Sequence, residues 1–182
     1  MSEIKLSPKE RAAQFIAALR SACQDRGKRA ALRRGLSPAT VMDSWPVIAR
    51  LGGDVGQPGE SAFIDIAAFF ASHPQESGDQ SFGETCRRIA QGDGKEIAES
   101  FERRFRRLLA SEDTGDLTGQ IRTWVRLASS KGVGVNYESL FADRWNWKWY
   151  ADDIRVKWAR AFWQSGEPTP KNSPANLPPK TP

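Results

Sequence analysis

Apolar side chains recur at three- and four-residue spacing almost everywhere along this chain, and the period-two alternation of a half-buried strand is nearly absent. Ser7-Pro8-Lys9-Glu10 opens the first predicted helix: Ser7 can cap the free amides, Pro8 fits the first turn, and Glu10 completes a capping box. Phe15, Ile16, Leu19 and Cys23 carry it to about Gln24. Gly27 then separates it from a short basic segment, Lys28-Arg29-Ala30-Ala31-Leu32-Arg33-Arg34-Gly35, which Gly35 terminates. Arginines outnumber apolar anchors there, so the segment is expected on the surface. A short helix is predicted around residues 38–42 and another after Ser44, where Trp45, Ile48 and Leu51 precede Gly52-Gly53. Phe63, Ile66, Ala67 and Phe70 mark a more hydrophobic helix after Pro58 that stops at Pro74.

Beyond a polar loop at 74–80, Ser81 with Glu84 makes a second capping box for a helix through Cys86, Ile89 and Ala90. The run from Ile97 to Leu109 is the most asymmetric. At 100° per residue Ile97, Phe101, Phe105 and Leu108 share one arc, while Arg103, Arg106 and Arg107 lie largely opposite. Asp116 is the expected cap of the next helix, whose stripe is Leu117, Ile121, Trp124 and Ala128, with Arg122 and Arg126 beside it. Asn136 starts another through Tyr137, Leu140, Phe141 and Trp145, and a final helix from about Tyr150 to Gln164 places Ile154, Trp158, Ala161 and Phe162 on one arc. Val156 and Trp163 fall opposite, so this helix is either clamped inside a bundle or meets another subunit.

The expected fold is therefore all-α: a compact bundle of about eight or nine helices over residues 1–163, followed by a proline-rich disordered or extended tail at 164–182 that holds six of the eleven prolines. The loops are compatible with two sub-bundles broken near residues 72–81 or 92–95.

Charge sharpens the picture. Nine basic and three acidic side chains occupy residues 1–35, one basic and six acidic occupy 36–80, and fifteen basic against twelve acidic occupy 81–163. Such segregation suits a basic flank for a polyanion and an acidic flank for a protein neighbour. No apolar run approaches the roughly 20 residues of a membrane span, and the amino terminus lacks a secretory layout, so a cytoplasmic protein is expected. Cys23 and Cys86 each sit close to an apolar helix face, which argues against a disulfide or a thiolate metal site.

Catalytic apparatus is hard to find. The one histidine, His73, precedes Pro74 at a helix end and is expected to cap carbonyls, which leaves no set for a multi-histidine zinc site and little basis for a hydrolytic triad. No phosphate-cradling Gly-rich loop is followed by Lys-Ser/Thr. Glu112, Asp113 and Asp116, and again Asp152 and Asp153, sit where helix dipoles favour acids, so capping is the expected role and no cofactor or metal is implied. A metal-dependent nuclease, needing only two or three carboxylates near a basic surface, is the competing enzyme reading.

Basic residues are the stronger signal. Lys28, Arg29, Arg33 and Arg34, the pair Arg87 and Arg88, the group Arg103, Arg104, Arg106 and Arg107, and the pair Arg122 and Arg126 form four sets that could line a groove for a phosphate backbone. Pairing of the third set with Glu96, Glu99 and Glu102 is the plain alternative. Five of the seven tryptophans lie between 145 and 163. Trp145, Trp147 and Trp149 cannot share one helical face, so that stretch is an irregular turn or exposes rings, and Trp147 and Trp163 are candidates for base stacking or a protein interface.

The order Arg104-Phe105, Leu108-Leu109, Asp113, Leu117, Ile121-Arg122, Val125, Leu127, Gly132, Val135-Asn136-Tyr137, Leu140, Phe141, Trp145, Val156, Trp158-Ala159 and Phe162 resembles the carboxy-terminal half of the small subunit of the type I-E CRISPR surveillance complex, Cascade. Ala30-Ala31-Leu32-Arg33-Arg34-Gly35 before Trp45 and Pro46 resembles its amino-terminal part. The resemblance spans about residues 7–163. It implies a non-catalytic subunit present as two copies, packed on the backbone and large subunits of a ribonucleoprotein and helping to hold opened target DNA beside the CRISPR RNA. By position, Arg29, Arg33 and Arg34 match one basic segment of that family, and Arg103, Arg104, Arg107, Arg122 and Arg126 match another. A protein-only adaptor is the non-enzymatic alternative. The tryptophan-rich stretch and the tail depart from the family pattern.

Overall fold

A computed structural model describes residues 7–164, apart from 58, 79–80, 93 and 95. Among these there are eight α-helices and no strand, with one isolated parallel bridge between Glu76 and Val135. The tail expected from 165 to 182 lies outside the described residues. The chain divides into two compact units: one runs through Pro74 and takes in Tyr137–Trp145, and the other holds Gln75–Asn136 and the chain from Asn146 onward.

In the first unit, α1 (Pro8–Ala22) begins as its capping box dictates, with Ser7 Oγ accepting from the Glu10 amide and the Glu10 carboxylate accepting from the Ser7 amide. The second helix, α2 (Arg26–Arg33), does not wait for Gly27. Asp25 accepts from the Lys28 amide at 2.8 Å and places Gly27 inside the first turn, so an acidic cap outweighs glycine's poor helix propensity. The helix expected near 38–42 is only a 3-10 turn at Val41–Asp43, and a second such turn spans Arg34–Leu36. After α3 (Trp45–Arg50), α4 (Glu60–Ser72) forms the centre: every residue from Ala62 to Ala71 is buried.

Phe63 of α4 meets Phe15 edge-on at 4.7 Å between ring centroids and Phe141 at 5.0 Å, and Trp145 stacks on Phe141. These contacts tie the opening turns of α8 (Tyr137–Trp163) to α1 and α4. One charge sits in this core. Asp65 of α4 accepts from Arg144 Nε at 2.9 Å, and the two side chains are only 9% and 4% exposed.

The second unit holds α5 (Phe82–Gln91), α6 (Glu99–Leu109), α7 (Thr114–Lys131) and the rest of α8. The expected Ser81 cap is present, accepting from the Glu84 amide. For α7 the cap is Asp113 and not Asp116: Asp113 Oδ1 accepts from the amides of Gly115 and Asp116 at 2.8 Å each, and Asp116 rides in the first turn. Gly132, at φ 64°, ends α7 in the left-handed region that glycine tolerates.

Phe105 stacks flat on Phe162 at 3.9 Å, and Trp124 and Trp158 fill the space around them. Gly83 lets α5 approach α8 at the backbone, since a β-carbon there would stand 2.2 Å from the Trp158 carbonyl oxygen. The tryptophan-rich stretch is helical. Only Tyr150, at φ −133° and ψ 30°, departs from helical geometry, so the predicted separation into two helices is a kink within one long element.

Candidate nucleic-acid interface

The basic residues of α2 have structural work as well as charge. Arg29 Nε and Arg33 Nε donate to the same acceptor, the Ala71 carbonyl oxygen, at 2.8 and 3.0 Å. That carbonyl lies in the last turn of α4, where the helix leaves acceptors unpaired and its dipole favours cations. Arg34 pairs with Asp43 at 3.0 Å, and both are exposed. Lys28 is exposed in the first turn of α2. The first basic set therefore lies in one unit, with two of its four members anchored as helix caps by their Nε atoms.

On α6 the plain alternative holds for two residues. Arg103 pairs with Glu99 at 3.2 Å and Arg106 with Glu102 at 3.3 Å, each one helical turn apart. The exposed member of such a pair is held by a fraction of a kcal/mol, about 0.3–0.5, and is readily given up to a phosphate. Glu96, the third acid considered, pairs with no arginine among the described residues. Arg104 is half-buried with its guanidinium 6.0 Å from the centre of the Phe101 ring. Arg107 is exposed, as are Arg122 and Arg126 on α7, and none of the three has a carboxylate partner among the described residues. Since α6 packs against α7, two adjoining helices of one unit each carry an i, i+4 arginine pair: Arg103 with Arg107, and Arg122 with Arg126.

The tryptophans divide sharply. Trp147 is 2% exposed, packed 5.4 Å from Trp158 and covered by the Arg155 guanidinium at 5.2 Å. It is core, and the expectation of a stacking platform there is corrected: helical continuity turns Trp147 inward and leaves Trp149, 54% exposed, as the outward ring. Trp163 is 41% exposed and leans on Phe105 and Phe162 by its edges, so one of its faces remains available.

Two arginines that sequence reasoning did not single out organise these surfaces. Arg155 donates to the carbonyls of Leu109 and Ser111 at 2.8 and 2.7 Å, closing the end of α6 as Arg29 and Arg33 close α4. Arg11 donates to both carboxylate oxygens of Asp54 while its guanidinium covers the rings of Phe63 and Trp145. Nothing in the periodicity distinguishes either from a solvated arginine.

The acids considered for metal chemistry are otherwise engaged: Asp113 caps α7, and Asp152 pairs with Arg155 at 2.7 Å. Among the described residues no group of three or more His, Cys, Asp or Glu stands together to hold a metal ion. Cys23 and Cys86 are free thiols, and burial pushes Cys86 well above the usual thiol pKa. His73 closes α4, with its carbonyl accepting from the buried Tyr137 hydroxyl. No described helix is long and apolar enough to cross a membrane.

This arrangement of helices is shared with solved CRISPR-associated proteins. A Cse2-family protein from Thermus thermophilus is 25% identical, with a TM-score of 0.70 over 87% of this chain and 99% of that one. CasB from M. ruber shares the fold at 23% identity and a TM-score of 0.69, covering 87% and 94%. So does a chain from a structure described as a CRISPR RNA-guided surveillance complex, at 21% identity and a TM-score of 0.69, covering 85% and 92%. No curated protein sequence is similar enough to match. The fold thus defines an all-helical protein of the CRISPR-associated class. A family model described as CRISPR-associated protein Cse2 matches residues 28–163, and the chain belongs to that family.

Proposed function

We propose that this chain is a non-catalytic small subunit of a type I-E CRISPR surveillance complex, Cascade, acting in the cytoplasm. It stabilises the loop in which guide RNA pairs with target DNA, through sequence-independent contacts to the phosphate backbone. It also bridges the backbone-forming and large subunits, in two copies per complex. Family membership supports the setting. The observation that carries the role is the set of exposed guanidiniums of Arg107, Arg122 and Arg126 on adjoining helices, free of carboxylate partners among the described residues.

The energetics are adequate. Exchanging a DNA duplex for an RNA–DNA heteroduplex is close to balanced, so a few backbone contacts tip it. Planar guanidinium forks suit phosphate oxygens and read no base. Charge reversal of Arg107, Arg122 and Arg126 together, assayed in the assembled complex at several salt concentrations, tests this. Loss of three contacts lowers the magnitude of the log affinity against log salt slope by about 2–3, at roughly 0.7 per single-strand contact and 0.9 per duplex contact. An unchanged slope and affinity would assign the three residues to scaffold.

A protein-only adaptor is the second reading, favoured by Trp149, Val156 and Trp163 standing exposed at seven-residue intervals on α8. Seven residues return a helix to within about 20° of the same direction, so these side chains form a line of the sort that helix partners cover. Under that reading the triple reversal leaves nucleic-acid retention intact, and alanine at Trp149 and Val156 releases neighbouring subunits.

A further inference from the structure

An open groove of roughly 420 Å³ lies in the second unit among the end of α5, the approach to α6 and the last turn of α8. Its aromatic wall is Phe162 and Trp163, and two carboxylates, Glu96 and Glu102, stand across from it. The one cation among the described residues of its lining, Arg87, is held within α5 by Glu84 at 3.8 Å and by the Gln91 amide oxygen at 3.2 Å. Glu96 is exposed and pairs with no basic residue among the described residues. An aromatic wall facing acids is a poor seat for a phosphate backbone, which the carboxylates repel. It suits an extended proline-rich segment carrying lysine, because such a segment loses little entropy on docking, lays prolines on aromatic faces and pairs its cation with the acids.

The chain itself supplies a segment of that composition. Residues 165–182 contain six prolines, two lysines (Lys171 and Lys180) and one acid, Glu167. They leave the described chain two residues beyond Trp163, which lines the groove, so Pro168 and Pro170 lie within about 25 Å of contour length from that ring. We propose that residues 165–182 dock in this groove, prolines against Trp163 and lysines toward Glu96 and Glu102. The tether makes this effective with weak contacts. Against an effective concentration on the order of 1 mM, an untethered dissociation constant of about 0.1 mM keeps the groove about nine-tenths covered.

Indole-labelled NMR reads the result, with the Trp163 resonance assigned through Trp163→Phe. The full chain is compared with a chain ending at Gln164, which retains every described residue. Deleting 165–182 shifts the Trp163 indole resonance, and a synthetic peptide of residues 165–182 returns it saturably at about 0.1 mM. Carrying Lys171→Glu and Lys180→Glu in that peptide weakens binding about two- to fivefold per exposed ion pair lost. The proposal is overturned by a resonance that ignores the deletion, by no saturable shift up to about 5 mM peptide, or by peptide binding undiminished after lysine reversal. It is also overturned if an oligothymidylate, and not the peptide, moves the resonance.

Discussion

Replacing Arg29 and Arg33 with glutamine separates fold from function at the basic segment. The Ala71 carbonyl is buried in the last turn of α4 and receives both Nε donors. Removing one donor leaves the acceptor satisfied by the other, so each single variant costs less than about 1 kcal/mol. Removing both strands a buried carbonyl and strips two cations from a helix carboxyl end. The stranded acceptor costs about 1–3 kcal/mol, and the lost dipole interaction adds about 0.3–1 per cation. The double variant should therefore lose about 2–4 kcal/mol, far more than the two singles together. Urea unfolding followed by far-UV circular dichroism reads this directly. At a slope of about 2 kcal/mol/M the midpoint of the double variant falls by about 1–2 M, and those of the single variants by about 0.5 M or less. Strict additivity, or a double variant as stable as the parent, would refute the shared cap and return both arginines wholly to the surface.

Three further outcomes follow from the packing. Arg144→Met leaves Asp65 charged and unpaired in the core and costs about 3–5 kcal/mol, whereas adding Asp65→Leu recovers most of that loss in the same urea assay. Asp113→Ala removes the cap of α7 and lowers stability by about 0.5–2 kcal/mol, while Asp116→Ala changes it by less, which thermal unfolding distinguishes. Cys86, fully buried with its pKa raised by desolvation, stays a thiol in the fold: a disulfide reagent labels half-buried Cys23 first and Cys86 only on unfolding. The unfolded chain releases that proton at lower pH than the fold does. The Cys86 contribution is therefore complete below the ordinary thiol pKa and is lost as pH rises through the elevated folded value, a trend that urea midpoints across alkaline pH record.

Local chemistry made much of the fold legible, and tertiary contact decided the rest. The Ser7–Glu10 box and the Ser81 cap are written within four residues and stand where expected. Gly27 misled, because a glycine reads as a break unless the Asp25 cap beside it is weighed. Asp113 and Asp116 are both acids near a helix start, and only the 2.8 Å geometry at Gly115 and Asp116 selects the first. Period alone showed that Trp145, Trp147 and Trp149 must diverge. It could not say which would be buried, since that depends on Trp158 and Arg155 arriving from further along α8. Among the site residues, exposure of Arg107, Arg122 and Arg126 was legible from the face opposite each apolar stripe. The capping duties of Arg29 and Arg33 were not, because their acceptor lies about forty residues away.

Purification of the tagged full-length protein from its native cells, with the bound nucleic acid and polypeptides identified, tests the central claim most directly. The account predicts that guide RNA and the backbone-forming and large subunits accompany it in fixed ratio, and that the association with target DNA weakens steeply with salt. Recovery of the chain alone, or with protein partners and no CRISPR RNA, contradicts it.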